Sequence, residues 1–262
     1  MAILNGGFDF TGKMGNLSAY KRKDMDEVIL RRKGGPSKKR VKEDPRLART
    51  RENSTEFAAC TKMTAGIRGA AHLVRHLGDT WFTGALNALS KKIQARDDTS
   101  DRGKRSVLLS RARELLTGFN FNMEYPFDQV VRSPAAVTVS REAASASVEI
   151  VKLTPGVQLR LPWEGTWFRF IVSVGVVEDV VFDEHGTATG GFLNDRMAYS
   201  VTEWYHAEAG SPEVKMDLQI TEGIPASATA LLMVGVEGGR LSRFGNIEGI
   251  PGKGAAKILG AF

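Results

Sequence analysis

Glu213-Val214-Lys215-Met216-Asp217-Leu218-Gln219-Ile220 alternates apolar and polar residues without a break. Successive side chains of a strand point to opposite faces, so Val214, Met216, Leu218 and Ile220 face a core while Lys215, Asp217 and Gln219 face water. β-branched or alternating runs recur on both sides, at 135–140, 147–153, 157–161, 167–177, 179–183, 198–206 and 229–236. Thr154-Pro155-Gly156, Glu184-His185-Gly186 and Gly210-Ser211-Pro212 supply turns between them. About eight strands at this spacing predict an antiparallel β-sandwich over residues 133–248. The last segment, 249–262, is rich in glycine and alanine and reads as a C-terminal tail whose apolar Ile258, Leu259 and Phe262 close the sandwich or dock on a neighbour.

Upstream of Pro134 the period changes from two to about 3.6. Asp44 caps a helix with Pro45 at its first position, and Leu47, Ala48, Phe57, Cys60, Thr61, Thr64, Ile67, Ala71 and Val74 follow at helical spacing, with a break expected near Gly66 or Gly69. Asp79 caps a second helix with Trp81, Phe82, Ala85, Leu86 and Leu89 on its apolar face. Ser106 to Leu116 reads as a third. Residues 45–132 therefore form a small helical region, and the fold class is α+β.

Residues 1–44 form an extended basic arm. Gly6, Gly7, Gly12 and Gly15 surround Phe8 and Phe10, aromatics that need a pocket. The runs 16–20 and 27–32, on either side of Lys23-Asp24-Met25-Asp26, predict a β-hairpin that carries Tyr20. The net charge of +6 is divided along the chain: residues 1–132 hold 26 Lys and Arg against 15 Asp and Glu, and residues 133–262 hold 10 against 15. Lys21, Arg22, Lys23, Arg31, Arg32, Lys33, Lys38, Lys39, Arg40 and Lys42 concentrate the positive charge. Such clusters serve as a solvated arm, as a contact for the anionic half of another copy, or as a sequence-blind contact for phosphates.

The pattern Thr11-Gly12-Lys13-Met14-Gly15-Asn16, Tyr20-Lys21-Arg22, Val28-Ile29-Leu30-Arg31, Pro36 and Arg49 to Phe57 resembles uncharacterised bacterial and prophage-like structural proteins with a basic G-K-x-G-N N-terminal arm. The resemblance covers roughly the first 60 residues. Glu43-Asp44-Pro45-Arg46 stands where that pattern has N-P-x-T. It implies a structural role, as in phage-like particles and tubes.

The chemistry-bearing residues do not assemble into a catalytic set. Cys60 is the only cysteine, which excludes an intrachain disulfide, and its neighbours Phe57, Ala58, Ala59 and Met63 read as a helix core. His72 and His76 are spaced for one helix face, but Leu73 stands where a zincin needs Glu, and no third ligand is near. Gly249-Ile250-Pro251-Gly252-Lys253-Gly254 lacks the glycine and the hydroxyl of a phosphate loop. Asp179, Asp183 and Glu184 read as a strand end and turn, and Trp163, Trp167 and Trp204 as core or strand-edge residues rather than a stacking platform. No metal, cofactor or reaction is expected. The start lacks a secretory signal, and the longest apolar stretch, 170–177, is too short to span a bilayer, so synthesis in the cytoplasm without membrane insertion is expected. The expectation is a self-assembling subunit of a filament, tube or phage-like particle whose partners are copies of itself, joined through arm and tail. The alternative is a sequence-nonspecific nucleic-acid-binding or packaging protein.

Overall fold

Val214–Gln219 is a strand in the computed structural model of the chain, with Val214, Met216 and Leu218 buried and Lys215, Asp217 and Gln219 exposed. The structure describes residues 2–4, 10–22, 27–32 and 34–262, and of residues 2–4 the backbone alone. Phe8, Lys23 and Lys33 lie outside the described residues. The chain is α+β, with a few helices and several antiparallel sheets, and it divides into two units, Met1–Arg51 and Glu52–Phe262.

The first unit holds strands β1 (Ala2–Leu4), β2 (Gly12–Met14), β3 (Leu17–Lys21) and β4 (Val28–Arg32), in the antiparallel order β1-β4-β3-β2. The expected hairpin is the β3–β4 pair, with Ala19 opposite Leu30. Helix α1 (Lys38–Glu43) follows, capped by Ser37, whose side chain accepts from the Arg40 amide. Asp44 Oδ1 then accepts from the Arg46 amide at 2.9 Å and opens the turn Pro45–Leu47, from which helix α2 (Ala48–Ala70) continues.

In the second unit α2 buries Glu56, Ala59, Cys60, Met63, Thr64, Ile67 and Ala70. It does not break at Gly66 or Gly69. A side chain at Gly66 would meet the backbone of Gly191 and Phe192 at 3.0–3.1 Å, and one at Gly69 would meet the Phe192 ring at 2.7 Å. Both glycines let a strand approach the helix. Helix α3 (Phe82–Gln94) starts at Asp79, whose Oδ1 accepts from the Trp81 and Phe82 amides. Its buried face runs through Phe82, Leu86, Ser90 and Ile93, leaving the expected Trp81 and Ala85 exposed. The third helix expected over 106–116 is replaced by two 3-10 turns, Leu109–Arg111 and Arg113–Leu115. Asp97 takes the Ser106 amide at 2.7 Å, Asp179 takes the Ser110 amide at 2.8 Å, and Val107 pairs with Val180, so these backbone groups are committed outside a helix. Helix α4 (Phe127–Val130) is one turn long.

The strands that follow are β5 (Ala136–Ser140), β6 (Ser145–Ile150), β7 (Trp167–Glu178), β8 (Val181–Phe182), β9 (Ala188–Thr189), β10 (Phe192–Val201), β11 (Tyr205–His206), β12 (Val214–Gln219), β13 (Ala228–Leu241) and β14 (Ile247–Ala261). The central sheet has the order β10-β7-β13-β14, with β11 also on β7, and a three-stranded sheet has the order β12-β6-β5. The run 157–161, expected as a strand, is a turn region held by isolated bridges of Leu159 to Val131 and Pro155.

Alternation along β7 and β13 divides the core in two. Phe168, Phe170, Val172, Val174, Leu232 and Val234 share one cluster with Ala146, Val148, Ile150, Val214, Met216 and Leu218. Ile171, Val177, Leu231 and Met233 share the other with Cys60, Met63, Ile67, Leu77, Leu86 and Phe121. The expected boundaries at 132/133 and 248/249 therefore do not separate bodies: helices and strands share a core, and the tail is β14, the last strand of the central sheet. Gly254 of β14 and Gly235 of the paired β13 have a packing reason. A side chain at Gly254 or Gly235 would lie within 2.5–2.6 Å of Leu77, which rests on the sheet there.

Candidate functional site

Among the described residues of the first unit, the basic side chains stand on both faces of the β3–β4 pair and on α1. Directly opposed residues of an antiparallel pair share a face. The β3–β4 register puts Arg31 with Ser18 and Tyr20 on one face, and Lys21 and Arg32 with Leu17 and Ala19 on the other. The Arg31 guanidinium lies 5.4 Å from the Tyr20 ring centre, a cation–π contact. Arg22 follows the end of β3 and is exposed, as are Lys21, Arg31 and Arg32. Lys38, Lys39, Arg40 and Lys42 are all exposed on α1, a helix with no buried residue. Arg40 Nε meets Asp44 Oδ2 at 3.1 Å. Arg51 fastens the end of α1 by donating to the carbonyls of Val41 and Asp44 at 2.9 Å. Phe10 is 36% exposed.

Of the tail residues, Ile258 and Phe262 are buried and Leu259 is partly buried. The Phe262 amide bonds the Ala230 carbonyl, and the Ala230 amide returns the bond. Residues 118–121 cover part of the outer edge of β14 through bonds to Ala256 and Ile258. Ile258 and Phe262 are thus taken up within the chain, the intramolecular one of the two places expected for the tail.

Two carboxylates sit inside cation clusters that the sequence did not single out. Glu56 is fully buried and accepts from Arg105 Nε and Nη2 at 2.7 Å, Lys91 Nζ at 2.9 Å and the Gly103 amide at 2.9 Å. The Arg105 hydrogen bonds, helped by Lys91 and Gly103 against the effect of burial, hold its carboxyl down at about 2. Glu237 accepts from Arg169 Nε at 2.7 Å and lies 3.1 Å from His76 Nε2. Burial pushes its carboxyl up, and the bonds from His76 and Arg169 outweigh that and bring it below the ordinary value. Arg169 also stacks 4.5 Å from the Trp204 ring centre. The signal for Glu56 was a charge in phase with the apolar stripe of α2. Glu237 had a comparable signal, lying between the buried Val236 and Gly238 on a core strand.

Their chemistry is structural. Both oxygens of Glu56 are engaged by cations, and those of Glu237 by the Arg169 guanidinium and the His76 ring. Cys60 is buried, its thiol donates to Gln94 Oε1 at 3.3 Å, and burial pushes it up to about 11, which leaves it protonated and unreactive at neutral pH. His72 and His76 diverge, because α2 ends at Ala70: His72 Nδ1 is 3.2 Å from the Gly69 carbonyl, while His76 turns to Glu237. Asp179 holds Ser110, and Asp183 closes its own turn through the Thr187 amide. Trp163 is buried against Tyr125, and Trp167 meets the His206 ring edge-on. Among the described residues there is no group of three or more His, Cys, Asp or Glu that could hold a metal, and no helix long and apolar enough to cross a membrane. An open cleft of about 610 Å³ is lined by residues that include Tyr125, Glu124, Asp128, Arg132 and Arg160, a mixed-charge surface. No protein-family model, curated protein or solved structure matches the chain.

Proposed function

We propose that the chain is a self-assembling structural subunit of a filament, tube or phage-like particle, in which the N-terminal unit forms contacts between copies. One observation carries this. Among the described residues of Met1–Arg51, only Ala19, Val28 and Ile29 are buried apolar residues. Three such side chains bury too little apolar surface to offset the entropy of ordering the unit, and in this reading a partner supplies the rest. Helix α1 makes the same point, because six residues with no buried face do not hold a helix in water. Copies of the chain are suitable partners, since Met1–Arg51 holds 14 Lys and Arg against 6 Asp and Glu, while Glu52–Phe262 holds 22 against 24. In this reading the central and three-stranded sheets form a β-sandwich that serves as the body of the subunit. The protein runs no reaction, and it is made in the cytoplasm for an assembly that is either retained or released.

Light scattering at low salt is expected to give a mass far above that of one chain, with regular objects in negative stain. Deleting residues 1–40 is expected to remove the large species. A full-length chain that stays monomeric at high concentration and low salt contradicts the proposal.

A second reading, sequence-blind nucleic-acid binding, is favoured by the four exposed cations on the six residues of α1. If these neutralise four phosphates, affinity falls about a hundredfold between ~50 and ~200 mM salt, whatever the sequence. No measurable binding to single- or double-stranded DNA or RNA at ~50 mM salt removes this reading.

A further inference from the structure

β5 is the one edge of its sheet that carries no guard. Natural edge strands are protected by charge, proline, a bulge or a covering segment. β12, the opposite edge, carries Lys215 and Asp217; β10 has a register shift between Leu193 and Met197; β14 is partly covered by 118–121. β5 is Ala136-Val137-Thr138-Val139-Ser140, with neither charge nor proline, and among the described residues it pairs with β6 alone.

The side chains make the gap specific. Register aligns Val137 with Val148 and Met216, and Val139 with Ala146 and Leu218, across the core-facing side of the sheet. The β6 and β12 members of both rows are at most 5% exposed, whereas Val137 is 39% and Val139 40% exposed. Two core-facing valines therefore remain half-covered beside an unpaired backbone edge. An added strand supplies hydrogen bonds to that edge and apolar cover to those valines.

We infer that a second copy of this chain supplies the strand, its β5 pairing antiparallel with this one about a two-fold axis through Thr138; the inference rests on the assembly reading and names one of its interfaces. Three features choose this occupant. The strand is symmetric about Thr138, so the two-fold sets Val137 opposite Val139 of the other copy and small Ala136 opposite small Ser140. Each apolar row then runs unbroken across six strands. Thr138 faces its own copy, a favourable cross-strand pair. The flanks agree: exposed Arg132 precedes β5 and exposed Glu142 follows it, beside Arg141, whose guanidinium is held by the Pro225 and Ala228 carbonyls, so the antiparallel arrangement brings Arg132 of one copy toward Glu142 of the other, twice. A parallel arrangement brings like to like.

The test is a disulfide read-out in the full-length chain. Opposed Cα atoms across an antiparallel pair lie about 4.5–5.5 Å apart, within disulfide range. Thr138→Cys is expected to cross-link into covalent dimers under mild oxidation with oxidised glutathione. Glu142→Cys, exposed but in the turn after β5 and four residues from the two-fold, is expected to stay single. Adding Val137→Lys and Val139→Lys to the Thr138→Cys chain is expected to cut cross-linking about tenfold. The far-UV spectrum and thermal midpoint of that variant check that it still folds. Wild-type mass measured alongside separates the two claims. An assembled protein whose Thr138→Cys chain links no better than its Glu142→Cys chain overturns the β5 pair and leaves assembly standing. A monomer that links specifically through residue 138 supports the pair and overturns the larger assembly. A monomer with no specific link overturns both.

Discussion

Glu56→Gln is expected to lower the stability of the second unit by about 3 kcal/mol at pH 7, measured by urea denaturation. Glutamine keeps the shape but removes the charge, and its amide N–H group faces donors where the carboxylate accepted from Arg105, Lys91 and the Gly103 amide. Two cations are then left beside a buried neutral group, which costs more than the pair itself contributes. The pH dependence follows from the same contacts. The folded carboxyl, at about 2, lies below its ordinary 4.5, so the unfolded chain takes up the proton first. The stabilisation is complete above about pH 4.5 and is lost as pH falls through about 2. At pH 3 about 2 kcal/mol of it is gone, and the gap between wild type and variant narrows by that amount. Asp97 titrates in the same window: burial pushes it up, and the bonds from Ser100, Ser106 and Thr99 bring it down to about 2. It is present in both proteins and cancels. A gap that is equal at pH 7 and pH 3 shows that Glu56 is not the charged centre of this cluster.

What could be read in the sequence depended on whether a segment's partners left a periodic trace. Val214, Met216, Leu218 and Ile220 show the pleat because one face of β12 meets core and the other water. Asp44-Pro45 and Asp79 declare helix starts because capping is a local bond. β14 left no trace: a strand with Gly254, Ala255 and Ala256 is ordinary loop composition until Leu77 is known to rest on it. The segment 106–116 misled in the other direction. Leu109, Ala112 and Leu116 are buried at helical spacing, yet Asp97 and Asp179, the latter far away in sequence, hold the backbone out of a helix. The edge status of β5 was equally hidden, since Ala136–Ser140 reads as an ordinary strand until its neighbours are counted. The basic clusters were legible as charge, but their division between the two faces of β3–β4 required the register.

Gly190→Ala is expected to cost about 3 kcal/mol or more, the sum of a left-handed backbone and a steric overlap. Gly190 has φ +104°, and a side-chain carbon built on it would lie 2.0 Å from the Asp179 carbonyl oxygen. That contact is with backbone, so no rotamer change relieves it; the β7–β8 junction must move. The Asp179 carboxylate moves with it, and that group holds the Ser110 amide and hydroxyl and so anchors the 106–116 segment over the helical side of the core. Gly186→Ala provides the comparison. Gly186 has φ +75° but nothing within 4 Å of the added carbon, so only the backbone cost of about 1–2 kcal/mol applies. Thermal and urea unfolding of the two variants should therefore separate clearly, with increased hydrogen exchange across 106–116 in Gly190→Ala alone. Equal losses at the two positions mean that the chain yields around residue 190, and that Asp179 does not clamp the loop through a fixed backbone.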